Sequence, residues 1–198
     1  MKTWIKSATA AAALLLAAFV TLAEADSSGD DSSSGDSSSS EASSESGGSS
    51  DAPASSTDSP IPIGTNVEVA KGWNLTVNSA ELDANAAMAA ANQFNTPADG
   101  SQYVMVNMSI TNNSDAPAEP MFEMKLSLLP PSGVGIDPAF VAEVPEEIDQ
   151  LAQLQPGATM TGNMVFEVPV DQIPGSVLLG QSQFTLDEVK DQKFFALQ

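Results

Sequence analysis

Residues 102–111 constrain the fold of this chain more than any other stretch. Val104, Val106, Met108 and Ile110 alternate with Tyr103, Met105, Asn107, Ser109 and Thr111, so an extended backbone here carries one apolar face and one mixed face. A helix would scatter the same side chains around its circumference and leave no stripe to bury. A strand of this kind needs a second layer to cover its apolar side. The same period of two returns in Val67 and Val69, in Trp73, Leu75 and Val77, in Phe122, Met124, Leu126 and Leu128, and in Met160, Gly162, Met164, Phe166 and Val168. Shorter apolar pieces at 177–179 and 194–197 complete the set. Asn112-Asn113-Ser114-Asp115, Pro130-Pro131-Ser132-Gly133 and Pro169 punctuate the runs with turn formers.

About seven or eight short strands of this type predict an all-β chain, an antiparallel sandwich with one wet face per sheet. Val104, Val106, Met108 and Ile110 are expected to pack across the sandwich on Met160, Met164 and Phe166. Trp73 is expected in the core, where a large side chain buries the most area and needs one partner for its N–H. Helical spacing is scarce. Residues 84–92, behind a possible cap at Asp83, and 145–154, with Ile148, Leu151 and Leu154 in phase, are expected to be brief helices or loops joining strands.

The chain ahead of these strands has another character. Lys2 and Lys6 precede an apolar stretch over residues 8–20, and Ala23-Glu24-Ala25 follows. A positive start, an apolar run and small residues at −3 and −1 mark a secretory signal, with cleavage expected after Ala25. Left uncleaved, the same segment would be a membrane anchor, although it is short for a span. Residues 26–60 then hold 17 Ser, 8 Asp or Glu and 4 Gly, with no Lys, Arg or aromatic residue. Such a stretch buries too little apolar surface to offset the entropy of ordering it, so it is expected to be a disordered stalk. The expected organisation is therefore a signal peptide or anchor over 1–25, a stalk over 26–60 and one folded domain over 61–198. The corresponding location is extracytoplasmic, secreted or at the cell surface.

Composition narrows the chemistry of the domain. The chain contains no Cys and no His, which removes disulfides, thiolate metal sites, the commonest general base and the commonest zinc ligand. There is no Arg, and residues 61–198 carry 17 acidic residues against Lys71, Lys125, Lys190 and Lys193. A domain this acidic is repelled by nucleic acid and by anionic lipid. No G-x-S-x-G elbow occurs, and no carboxylate pair is fixed at a defined separation. The expectation is a protein that is not an enzyme, with no catalytic, cofactor-binding or metal residues and no cofactor.

Several residues are nonetheless candidates for binding. Asp137, Glu143, Glu146, Glu147 and Asp149 form the densest acidic group in the domain. Their ordinary role is an exposed connection leading into a helix start, where carboxylates complement the dipole. The sharper reading is a calcium loop, since carboxylates are the oxygen ligands that calcium prefers. Among the methionines, Met108, Met124, Met160 and Met164 share register with core residues. Met105 faces the other way, and it is the residue to watch for an adaptable surface or copper binding.

The order of certain short segments carries a resemblance. Gly72-Trp73 opens a strand, and Tyr103-Val104-Met105-Val106 runs into Thr111-Asn112-Asn113. Pro156-Gly157 then precedes Gly162 and Phe166-Glu167-Val168-Pro169. In this the chain resembles domain-of-unknown-function family 4352, found in bacterial surface lipoproteins and related in fold to small immunoglobulin-like antigens secreted by mycobacteria. The resemblance implies an immunoglobulin-like β-sandwich outside the cytoplasm, and it brings no catalytic residues. Family members commonly keep a cysteine just after the signal's apolar run, whereas this chain has Thr21-Leu22-Ala23-Glu24-Ala25 there. Lipid anchoring is therefore not carried over. The expected function is a non-catalytic module for contacts with an unknown protein or cell-envelope partner, touching membrane only if the signal stays uncleaved. The alternative is an accessory domain that binds a small ligand or a calcium or copper ion.

Overall fold

In the computed structural model, which describes residues 55–184 and 192–198, the alternating segments form strands β1 (Val67–Ala70), β2 (Trp73–Glu81), β3 (Ser101–Asn112), β4 (Met124–Leu129), β5 (Thr159–Pro169), β6 (Val177–Ser182) and β7 (Lys193–Phe195). The signal segment, and the stalk as far as residue 54, lie outside the described residues. The strands make two antiparallel sheets, one in the order β1-β2-β3-β5 and the other β4-β6-β7. This is the expected β-sandwich, divided four and three like a constant-type immunoglobulin domain. The connectivity differs in that β3 lies beside β2, where the fifth strand lies in that domain.

The apolar stripe of β3 behaves as its alternation requires. Val104, Val106, Met108 and Ile110 are all fully buried, together with Trp73, Leu75, Val77 and Phe166 from their own sheet and Leu128, Leu178 and Phe195 from the other. Burying a side chain of this size contributes roughly 1.5–3 kcal/mol. The expected partners of the stripe need correcting. Val104 pairs with Phe166, Val106 with Met164, Met108 with Gly162 and Ile110 with Met160, so β5 is the in-sheet neighbour of β3 and does not face it across the sandwich. The two sheets approach one another where β1 meets β6. A Cβ on Gly180 would lie 3.0 Å from Val69 Cγ1, so glycine in β6 leaves room for the valine opposite.

The start of β4 differs from expectation. Phe122 does not extend β4. It lies in a four-residue helical turn, α2 (Pro120–Glu123), started by a proline whose missing N–H costs nothing at that position, and its side chain is exposed. Residues 145–154, expected to be a brief helix or a loop, form an irregular connection. Glu146 has φ +48°, which ends any helical run, and Glu147 instead makes a parallel bridge with Asn163 of β5. The acidic residues here therefore have no helix dipole to complement. The alanine-rich stretch does form a helix, α1 (Asn85–Ala91). Its N-cap is Ala84, without a side-chain cap, and Asp83 Oδ1 stands 3.5 Å from the Asn85 N–H.

The mixed face of β3 divides along its length. At one end Asn107, Ser109 and Thr111 join a solvent-facing ladder. The Asn107 amide donates to Asn163 Oδ1 at 2.7 Å, and hydroxyls meet at 2.8 Å in the pairs Ser109–Thr161 and Thr111–Thr159. At the other end Tyr103 and Val165 are buried with Ala84, Met88 and Val144, and Met105 packs against them. Helix α1 and the chain around residue 144 cover the sheet only where its outer side chains are apolar.

Burial raises the ionisation of Tyr103 above the ordinary phenol value, and the nearby Glu167 carboxylate pushes it the same way. The folded protein thus holds the phenol proton more tightly than the unfolded chain. The stabilisation is complete below about pH 10 and is lost as pH rises through the folded value. Tyr103 is the single tyrosine, so phenolate absorbance at alkaline pH reports on it alone. We expect that absorbance to appear late and together with a falling melting temperature, and Tyr103→Phe to remove its share of the alkaline loss.

The amino-terminal edge of the described chain is tied to the last strand. Ile61 is buried and pairs in parallel with Phe195. Its N–H donates to Phe194 O at 2.7 Å, and the Ala196 N–H donates to Ile61 O at 2.8 Å. Ser55 Oγ accepts from the Phe194 N–H at 3.0 Å, so the tie reaches the last residues of the stretch read as stalk.

Candidate functional site: an apolar groove beside strand β5

The outer edge of β5 is occupied by the chain's own residues 139–148. The Ala139 N–H donates to Val165 O at 2.8 Å, the Ile148 N–H to Asn163 O at 3.0 Å, and the Asn163 N–H to Glu146 O at 2.8 Å. This protects a strand edge that would otherwise offer unpaired donors and acceptors. The approach is close enough to require a glycine. A Cβ on Gly162 would sit 2.8 Å from Glu146 O and from the N and Cα of Ile148.

Two buried asparagines pin the same segment. The Asn163 amide donates to Pro145 O at 2.6 Å. Asn95 donates to Glu143 O at 2.7 Å and to Met88 O at 3.0 Å, and it accepts from the Ala142 N–H at 3.1 Å. Each satisfied amide replaces water at backbone groups that burial would leave orphaned. Glu146 is the single non-glycine residue at positive φ among the described residues, a local strain that persists because its neighbours are held on both sides.

So fixed, the segment forms one wall of an open groove of about 720 Å³, within the size range of ligand pockets. Ile148, Met164 and Val165 line it below, with Phe140, Leu151 and Met121 around them. Met121 is placed by α2, whose N–H at that residue donates to Gln150 O at 3.3 Å. Phe140 projects fully into solvent, and Leu151 is 63% exposed. Glu147 and Asp149 are the charged residues of the lining.

The candidates from the sequence separate against this geometry. Trp73 is 1% exposed and serves the core. Glu147 and Asp149 come to the groove, while Asp137 lies opposite Lys125 at 3.4 Å and Glu143 and Glu146 remain exposed on the wall segment. Among the described residues no three acidic side chains gather in a manner that would hold a metal ion. The methionines are not collected either. Met108, Met124 and Met164 are in the main core, Met105 packs on the smaller cluster, and Met121 lines the groove, whose floor Met164 also reaches.

The family model described as a domain of unknown function, DUF4352, matches residues 61–190. The chain belongs to the DUF4352 family. A comparison with curated proteins finds no match. Solved structures similar to this DUF4352 chain include the yjhA protein of Bacillus subtilis, 14% identical with a TM-score of 0.47, covering 70% of this chain and 99% of that one. An uncharacterized beta-sandwich protein from Clostridium difficile is 12% identical with a TM-score of 0.44, covering 70% and 95%. A conserved hypothetical protein from Bacillus anthracis is 10% identical with a TM-score of 0.43, covering 69% and 95%.

Sequence reasoning missed the groove of this DUF4352 domain, because its walls come from segments without periodicity. One signal was present. Gly162 interrupts a strand of large apolar residues, and a glycine there marks a close backbone approach. Phe140 and Leu151 were equally visible as large apolar residues in a polar, turn-rich stretch.

Proposed function

We propose that this DUF4352 protein is a non-catalytic extracytoplasmic module that makes protein or envelope contacts through the groove beside β5. The observation that carries this reading is the combination of a rigidly held wall with exposed apolar side chains. Phe140 stands in water on a segment that Asn95, Asn163 and the β5 backbone fasten in place, and exposed Leu151 follows that segment, its N–H donating to Asp149 Oδ1 at 3.0 Å. Large exposed apolar residues held in position on a soluble domain mark an interaction site. The extracytoplasmic part of the reading is supported by the signal pattern over residues 1–25 and the acidic Ser-rich stretch after it.

Titration with the neutral apolar dye Nile red tests the groove. We expect a saturable rise in emission with the full chain, and its loss in the double variant Phe140→Ser/Leu151→Ser at an unchanged melting temperature. Dye binding that ignores both substitutions would refute the groove as a contact site. Fractionation with mass spectrometry of the amino terminus tests the location. A chain starting at Asp26 in the culture medium supports release, and an intact terminus in the membrane fraction supports anchoring. An intact chain in the cytosol would refute both.

A further inference from the structure

We infer that the groove beside β5 receives a basic peptide segment with apolar anchors, from a partner protein that carries Lys or Arg next to Leu or Phe. The inference rests on reading the groove as the contact site and adds the chemistry of its occupant. The lining supplies both halves of the match. Met121, Phe140 and Leu151 offer exposed apolar contact over a floor that includes the buried Ile148 and Val165, and Glu147 and Asp149 are charged residues with no lysine beside them in the lining. The wall segment carries Glu143 and Glu146 as well, both exposed. Among the described residues the one ion pair is Lys125–Asp137, so these four carboxylates pair with no lysine of the described residues.

Charge also separates the possible occupants. A second copy brings a net charge of −20 against −20, and isologous pairing would set each acidic rim against its twin. An anionic membrane surface is repelled for the same reason. A basic segment is drawn in by the field of the whole chain, and its apolar anchors displace water from side chains that already stand exposed. The β5 edge is taken by residues 146–148, so the peptide is read by its side chains and does not add a strand.

The test uses the full chain and three fluorescein-labelled twelve-residue peptides read by anisotropy. The first combines Lys with Leu, the second replaces Lys with Glu, and the third replaces Leu with Ser. We expect only the Lys/Leu peptide to saturate, with affinity falling as salt is raised from about 0.1 to 1 M, as screening shortens the reach of the field. Glu147→Gln/Asp149→Asn should weaken it about tenfold, and Leu151→Ser at least as much. Phe184→Ser, an exposed phenylalanine outside the groove lining, should leave it unchanged. Equal binding of the Glu/Leu peptide would overturn the basic occupant while leaving the groove a contact site. Equal binding of the Lys/Ser peptide, indifferent to Leu151→Ser, would show charge acting alone and overturn the inference. So would a dimer in sedimentation that Leu151→Ser dissolves, since the occupant would then be a second copy. Lys/Leu binding that no groove variant touches would overturn both the occupant and the groove.

Discussion

Replacing Asn112 with leucine should lower the melting temperature by roughly 20 °C, a loss of about 4 kcal/mol for a domain of this size. Asn112 ends β3 with its side chain completely buried. Its amide donates to Ala116 O and to Leu154 O, each at 2.9 Å. Its Oδ1 accepts from the Ser114 N–H at 2.9 Å and from Ser114 Oγ at 2.6 Å. One side chain thereby closes two loops that approach from opposite sides of the strand end. Leucine has a similar size and forfeits all four bonds, each contributing about 1 kcal/mol; Leu154 O keeps the Ala118 N–H and Ala116 O keeps the Ser114 hydroxyl, while the Ser114 N–H loses its acceptor. Asn113 next door is exposed, and Asn113→Leu should change stability by less than about 0.5 kcal/mol. Thermal melts of the two variants side by side check the claim, and equal melting temperatures would refute it.

Gly162→Val should cost about 3 kcal/mol, with its effect concentrated on the groove. Valine suits a strand by propensity, so a propensity argument alone predicts a neutral or favourable change. The added Cβ instead meets backbone atoms of Glu146 and Ile148 at 2.8 Å, which cannot rotate away as a side-chain tip would. The segment has to lift off β5 and lose its exchange of bonds with Asn163. Hydrogen exchange should then speed up at the Ile148 and Asn163 amides and leave Met108 protected, and Nile red binding should disappear. Unchanged exchange at Ile148 would show that the segment adapts, and the close-approach argument would fail.

The contrast between these two sites explains what could be read from the sequence. Period-two alternation reports which way successive side chains point, and it located β3, β5 and the buried Val104–Ile110 stripe because a sandwich must hide one face. It carries no information on which strand lies beside which, so Met160, Met164 and Phe166 were placed across from β3 when they are its ladder neighbours. Phe122 kept the alternation in the sequence, yet Pro120 redirected the backbone before β4 began. The groove was illegible for a related reason. Its wall is held by Asn95 reaching residues 142 and 143, and by Asn163 reaching Pro145, contacts that no local pattern encodes. Ile148, Leu151 and Leu154 did have helical spacing, but backbone pairing with β5 supplied partners that a helix would otherwise have provided.

The burial of Asn112 also bears on how this protein can be produced. Asn112-Asn113-Ser114 is an acceptor tripeptide for N-linked glycans, and a eukaryotic secretory host would meet it on the nascent chain before the loops close around it. A sugar attached there occupies the amide nitrogen that must donate to Ala116 and Leu154, so the modified fraction cannot reach the native state. Editing the tripeptide is no free remedy. Ser114→Ala deletes the hydroxyl that donates to Asn112, and proline at position 113 deletes an N–H that donates to Gly72 O at 2.7 Å. A host that leaves asparagine unmodified suits this domain, and a glycosylating one should yield a mixture in which every soluble molecule is bare at Asn112.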